Sequence, residues 1–459
     1  MIPLSVKFYS PPTNVEVIFP AEPLIMLLGL LHLVAFLGTR GGLSAVRTAL
    51  TKPLVLLSVL LLIVGWTTTL FSTMPWVSFK AMIIRTSYVG VFFLGPLLHR
   101  SMGVQEILRC VRLYGLSFLA VEVFALIVQT PAGFDRITAL HAAFPFYQDR
   151  TLHACALVFI LLASATYLYD GFRRHGLTSM VAMRAGVPAV LAFGCYATFC
   201  RAAWLGLLIC LVLLVFHLLR ASHKLAFALL IALVMIAALV RSGKADDVSA
   251  ADDSNAEHAD WLDMFGSMTN LTTDASNMER MNRWLCAVRM GRVEPLTGFG
   301  PGAYQFKYIA FQRQSEITYL SWNETVDAQA TLSSAWDLGH TVMIKSPDQL
   351  YYYCGGTAHS EYLLALSEMG LPGFLLVFGL TLLACWVSYR GSQRTRDPAI
   401  CSILLCCLFA WLAFAVHAMF NNFLDDCKVG FLYWTTLLLI VKASEPDRTQ
   451  GMDPVVFSS

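Results

Sequence analysis

Charge is what this chain has least of. Asp, Glu, Lys and Arg make up 14% of its 459 residues, against 57% hydrophobic residues and a mean hydropathy of +0.63. A water-soluble domain carries roughly 25% charged residues, so composition alone excludes one and implies an integral membrane protein. The net charge of +2 supplies no basic field, and no nucleic-acid partner is expected. Also absent are a CxxC pair and any Cys/His spacing suggestive of zinc. No basic segment precedes an apolar one at the start, so no signal peptide is expected. Of the twelve cysteines, most lie in or beside apolar runs, where Cys behaves as a small hydrophobe. Cys286 and Cys354 fall in a polar stretch and could form a disulfide in an oxidising compartment.

What the chain has instead is long apolar runs. A helix needs about 20 apolar residues to cross a bilayer, and eleven stretches qualify, near 22–39, 53–72, 79–98, 112–130, 152–169, 183–200, 202–219, 224–241, 371–389, 400–420 and 428–443. The expected fold is an all-α polytopic membrane protein with about 11 transmembrane helices and one large, mostly helical extracytoplasmic loop. Four regions follow: an N-terminal bundle of about eight spans (1–241), the loop (242–370), three C-terminal spans (371–443) and a tail (444–459).

Lys and Arg in the short connections set orientation. If the chain starts outside, the cytoplasmic side receives sixteen of them and the short outer segments six: Lys7, Lys80, Arg136, Arg150, Arg201 and Lys428. That ratio places the loop outside and the C-terminus inside. MIPLSV is compatible with the tail of a further span, which would return the N-terminus to the cytoplasm.

Polar residues inside or beside the spans carry the next signal. Lys80 and Arg85 lie in the third span and Glu122 in the middle of the fourth. Ionisable groups in hydrocarbon face the bundle interior or a wet cavity. Either Arg85 pairs with Glu122 or Lys80 snorkels, or these cations bind an anionic head group. Arg201 sits in a tight reversal, ATFCRAAWLG, at the outer end of the sixth span. The loop begins acidic and reverses sign in ERMNRWLCAVRMGRVEPLTGFGPGAYQF, which predicts an amphipathic helix ended near Gly291 and a glycine turn. That turn has no strand or Lys-Ser/Thr beside it, which argues against a nucleotide site. Residues 314–358 read as loop and short helix. AHSEYLLALSEMG predicts a helix of three turns ended by Gly370, with His359 at its start, where a helix N-terminus favours an anion. His417, Asn421, Asn422, Asp425, Asp426 and Lys428 form an outer polar cluster. Asp425 and Asp426 point apart on a helix, so no metal site is expected.

The reversal RAAWLG (Arg201 to Gly206), Arg280 with Trp284, PLTGFGPGAY (Pro295 to Tyr304), HSEYLLALSEMGLPG (His359 to Gly373) and HAMFNN follow one another in that order. In this order they resemble the O-antigen ligase and polymerase superfamily of bacterial envelope glycosyltransferases, over roughly Arg184 to Leu438. The resemblance implies a GT-C-like architecture in the bacterial inner membrane with the loop periplasmic. It implies glycan transfer from an undecaprenyl-diphosphate carrier, with no cofactor and no metal. The acceptor would be a lipid A–core sugar, another carrier-linked glycan or, in some members, a protein hydroxyl. By this resemblance Arg201 and Arg280 grip the diphosphate, with Arg283, Arg85 and Lys80 as further cationic candidates. His359 positions the diphosphate or takes the acceptor's proton, with Glu361 and Glu368 as alternative bases. Trp284 and Tyr304 stand on the substrate-binding side, and membrane lipids and the polyprenyl tail would occupy grooves between spans.

Two readings of other classes compete. A lipid-linked glycan transporter or flippase would show internal repeats and broken spans near the midplane, and none is evident. A sensor or scaffold would not need cations converging from distant segments.

Overall fold

The computed structural model describes residues 1–10, 15–38, 42–98, 102–218, 275–313, 342–345, 350–353 and 356–445. Within hydrocarbon every backbone amide needs a partner from its own segment, which helices provide, and the described chain is predominantly helical. A short hairpin, β1 (Val6–Ser10) and β2 (Val15–Phe19), precedes α1 (Ala21–Gly38). Then come α2 (Pro53–Leu70), α3 (Pro75–Val89), α4 (Val104–Gln129), α5 (Arg150–His175), α6 (Gly186–Ala197) and α7 (Arg201–Leu218). A π-helical turn (Gly90–Leu94) carries α3 on to Leu98, and a short helix (Ser179–Arg184) leads into α6. Beyond these lie α8 (Ala275–Val293), a hairpin of β3 (Val342–Lys345) and β4 (Leu350–Tyr353), α9 (Glu361–Arg394), α10 (Pro398–His417) and α11 (Cys427–Ala443). Among the described residues eight helices are long and apolar enough to cross a membrane. The expected spans near 202–219 and 428–443 appear as α7 and α11, which are not among those eight, and the one near 224–241 lies outside the described residues. The β3–β4 hairpin departs from the expectation of loop and short helix over 314–358.

MIPLSV is not helical through its length. Ile2–Leu4 form one 3-10 turn, followed by the hairpin. The buried Lys428 at the start of α11 ties this segment down: its Nζ donates to the Ser5 carbonyl at 2.9 Å and to the Phe146 carbonyl, and it lies 4.4 Å from the Tyr147 ring centre. The N-terminal hairpin, the connection before α5 and the start of α11 therefore share one side of the bundle.

The turn 295–302 and the break in α9 explain each other. Gly370 adopts φ 66°, ψ −167° inside α9, which interrupts the helix and leaves the last carbonyls of its first section without helical partners. The turn supplies donors: Phe299 N to Ser367 O (3.0 Å) and Gly300 N to Glu368 O (2.9 Å). Leu371 N, freed on the far side of the break, donates to Pro295 O at 2.7 Å. Ser72, after α2, donates its hydroxyl to Phe299 O at 3.1 Å. GFGPG is thus a clasp joining α9 to the α2–α3 connection, not a phosphate loop. It fixes where α9 begins, and so where His359 stands.

Candidate functional site

A crevice of about 600 Å³, open to solvent, lies where the first turns of α5 and α7 meet α8 and the connection after α10. Arg150, Arg201 and Arg280 line it together, with Asn277, Phe420 and Asn421. Each cation is placed by local structure. Asp149 caps α5 by accepting from Thr151 N at 2.9 Å, which puts Arg150 at the first helical position. The reversal before Arg201 is closed by Trp204, whose Nε1 donates to Cys195 O across the turn at 2.7 Å. Phe199 takes the left-handed conformation there, with φ 49°, and Cys200 is buried. Burial raises the Cys200 thiol above its ordinary range, against the lowering pull of Arg150 and Arg280, so thiolate chemistry is disfavoured. Arg280 comes from α8, seated on the loop's small core through Cys286, Ala287 and Met290.

Arg150 Nη1 and Asn421 Nδ2 are both buried without a hydrogen-bond partner among the described residues. A buried donor left unsatisfied costs about 1–3 kcal/mol. The positive dipole ends of α5 and α7 add to the three guanidinium groups. The arrangement is built for a ligand rich in acceptors and negative charge.

His359 stands beside this crevice rather than in its lining. Its backbone is left-handed, φ 48°, one residue before Ser360, which caps α9 by accepting from Leu363 N. A non-glycine residue held there is strained by about 1–3 kcal/mol, and such strain collects at functional positions. Trp284 fixes the segment: its Nε1 donates to His359 O at 3.1 Å and its ring lies 5.8 Å from that of Phe420. Neither imidazole nitrogen has a hydrogen-bond partner among the described residues. Burial, then the charges of Arg283 and Arg280, hold its pKa well below the ordinary 6.5, so the ring is neutral at neutral pH. The buried His417 lies behind, with Nε2 3.4 Å from Cys200 Sγ.

Other expected site residues sit elsewhere. Arg283 is buried against Glu279 (Nε to Oε1, 2.6 Å), with Tyr308 4.9 Å away beneath its guanidinium. Tyr304 is buried too, donating its hydroxyl to Arg283 O at 2.9 Å. Both belong to the loop's core. Arg85 does not pair with Glu122. It makes a two-point contact with Asp425 (2.7 and 3.1 Å) and reaches Glu368 at 3.0 Å. It lines a separate, apolar crevice of about 580 Å³ together with Glu361 and Glu368. Carboxylates outnumber the cation there, so that crevice disfavours a phosphate. The Asp425 side chain is exposed, and the adjacent Arg85 guanidinium holds its carboxyl below the ordinary carboxylate range. Glu361 accepts from Phe423 N (2.5 Å) and Leu424 N (2.7 Å), bracing the connection that carries Asn421. Lys80 is exposed and lines neither crevice. Asp425 and Asp426 do diverge, Asp426 capping α11 through Lys428 N at 2.7 Å. Cys286 is buried, whereas Cys354 lies outside the described residues.

Sequence reasoning missed Arg150 and the open donor of Asn421. Arg150 enters a sequence reading only as an outer charge, although Asp-Arg-Thr at a helix start is a capping signal that places it.

A family model described as O-antigen ligase matches residues 187–327, which takes in Arg201 and Arg280 and ends before His359. No curated protein matches the chain. Over that stretch, under a third of its length, the chain is similar to the O-antigen ligase family, and its multi-pass helical architecture is consistent with that likeness.

Proposed function

We propose that the protein transfers a glycan from undecaprenyl diphosphate to an acceptor hydroxyl at the periplasmic face of the bacterial inner membrane, without a metal or cofactor. The acceptor is a lipid A–core sugar or another carrier-linked glycan. The observation that carries this reading is the pair of buried donors, Arg150 Nη1 and Asn421 Nδ2, opening on the crevice that Arg201 and Arg280 share. The acceptor oxygen bonds to the anomeric carbon while the carbon–oxygen bond to phosphate breaks. The electron pair passes to the diphosphate, and the guanidinium groups stabilise the charge that builds there. His359, neutral and close to Arg280, takes the hydroxyl proton.

The test is transfer by the purified chain in nanodiscs, given undecaprenyl-diphosphate glycan and an acceptor in the presence of a chelator. Transfer supports the reading, and its absence with every acceptor class rejects it. Arg150→Gln is expected to weaken undecaprenyl diphosphate binding about tenfold to a hundredfold, the worth of a hydrogen bond to a charged group. Titration of wild type and variant, each checked for folding, measures it.

The pH profile carries a second prediction. In the empty protein the His359 pKa lies below 6.5 because of burial and two nearby cations. A bound diphosphate offsets those cations, so the pKa rises on binding. A base must be deprotonated, and activity is lost as pH falls through its pKa. The acid limb of kcat/KM, which reports the free enzyme, is therefore expected at lower pH than that of kcat, which reports the complex. Coincident limbs, or limbs retained in His359→Gln, would remove His359 from this role.

A further inference from the structure

A buried contact between a carboxyl and an imidazole lies outside the lining of the crevice. Glu122 on α4 and His153 on α5 are 1% and 3% exposed, with Glu122 Oε2 2.9 Å from His153 Nε2. Neither atom has a hydrogen-bond partner among the described residues, so the contact is one of proximity and charge. A third helix closes on the same carboxylate. At Gly194 of α6 an added Cβ would stand 2.0 Å from Glu122 Oε1, so the glycine lets the α6 backbone lie against it. The His153 ring is held between Phe118 and Tyr147, at 5.4 and 5.3 Å.

Stability does not account for this pair. Ionisable groups at membrane depth are costly, and replacing a buried pair by apolar residues is often neutral or stabilising. What a buried Glu–His contact adds over apolar packing is a specific partner, which favours one rotation and one depth of the two helices against each other. Of the two elements it joins to α4, α5 carries Arg150, and α6 leads through the reversal into α7, which begins with Arg201. His153 lies three residues below Arg150, one helical turn. Gly194 lies three residues before the end of α6, and the reversal into Arg201 follows at once.

We propose that Glu122 and His153 are positioning residues: their contact, with the α6 backbone pressed against it at Gly194, sets the α5 and α6–α7 helix ends so that Arg150 and Arg201 face one crevice. The consequence for ligand binding rests on the diphosphate reading above. The ordering of the two helix ends does not.

The experiment uses the full chain in nanodiscs and three variants. Glu122→Gln keeps a polar contact to His153, and Glu122→Leu fills the volume but strands the histidine. The double variant Glu122→Met with His153→Phe makes the site apolar. Amide hydrogen exchange is read at residues 150–154 and 198–203, with α10 and α11 as internal references, alongside thermal stability and undecaprenyl diphosphate affinity. Expected is wild-type behaviour for Glu122→Gln. The double variant is expected to keep its melting temperature, yet exchange about tenfold faster in those two segments alone and bind about tenfold more weakly, in the range of coupling through packed networks. Wild-type exchange in the double variant overturns the proposal. So does faster exchange spread evenly over all helices, or failure of the double variant to fold, since either marks a plain stability element. If the wild type does not bind undecaprenyl diphosphate, the functional reading fails while the exchange pattern still decides the positioning claim.

Discussion

Replacing Arg280 by alanine is expected to lower the transfer rate about a thousandfold, the upper range for removing one preorganised donor from a developing anion, with the fold intact. Arg280 projects from α8 into the crevice between Arg150 and Arg201, and its field reaches both His359 and Cys200. It is only half-buried, and α8 is held by other residues, so the loss falls on chemistry. Arg280→Lys keeps the charge but not the planar fork that grips two phosphate oxygens, and a partial loss is expected. Arg283, one turn along the same helix, is the contrasting case. Its removal breaks the buried pair with Glu279, which costs about 3–5 kcal/mol and lowers the melting temperature. Transfer rate and melting temperature, measured on both alanine variants, separate the two roles. Equal loss of stability in both would contradict the assignment.

The second large effect is on the fold. Gly298→Ala is expected to destabilise the protein by about 3 kcal/mol or more, from left-handed strain added to overpacking. Gly298 has φ 59°, and its added Cβ would stand 2.4 Å from the carbonyl carbon of Glu368 and 2.5 Å from its oxygen. Those are backbone atoms at the α9 break and cannot rotate aside. Gly302 is the control. It also has positive φ, but its nearest neighbour would be the Ala81 side chain at 3.2 Å, so a smaller loss is expected. Thermal unfolding in detergent measures both. A Gly298→Ala protein as stable as wild type would mean that the clasp does not hold α9.

Both predictions depend on features that the sequence reveals unequally. The spans were legible because a bilayer demands long apolar helices. The residue range in which α9 breaks was legible too, because Gly370 and Pro372 punctuate it. The gathering of Arg201 and Arg280 was inferred from motif order and is matched by the crevice they share. Partner choice was not legible. Arg85 meets Asp425, 340 residues away, because the connection after α10 folds back over α3, and no local pattern encodes that contact. Glu122 finds His153 instead because α5, not α3, packs beside it at that depth. Arg283 and Tyr304 look like site residues by motif, yet the loop needs its own core and they are part of it. The glycines of GFGPG resemble a phosphate loop by spacing. Only the carbonyls freed at Gly370 explain what they bond. Arg150 and Asn421 stayed hidden because an unsatisfied donor exists only once its surroundings are built.

The most direct test is to locate undecaprenyl diphosphate in the protein by cryo-electron microscopy in nanodiscs. The account predicts diphosphate density in contact with Arg150, Arg201 and Arg280, beside His359. Diphosphate density in the apolar crevice at Arg85, or against Lys80, with the three-arginine crevice left vacant, would contradict it.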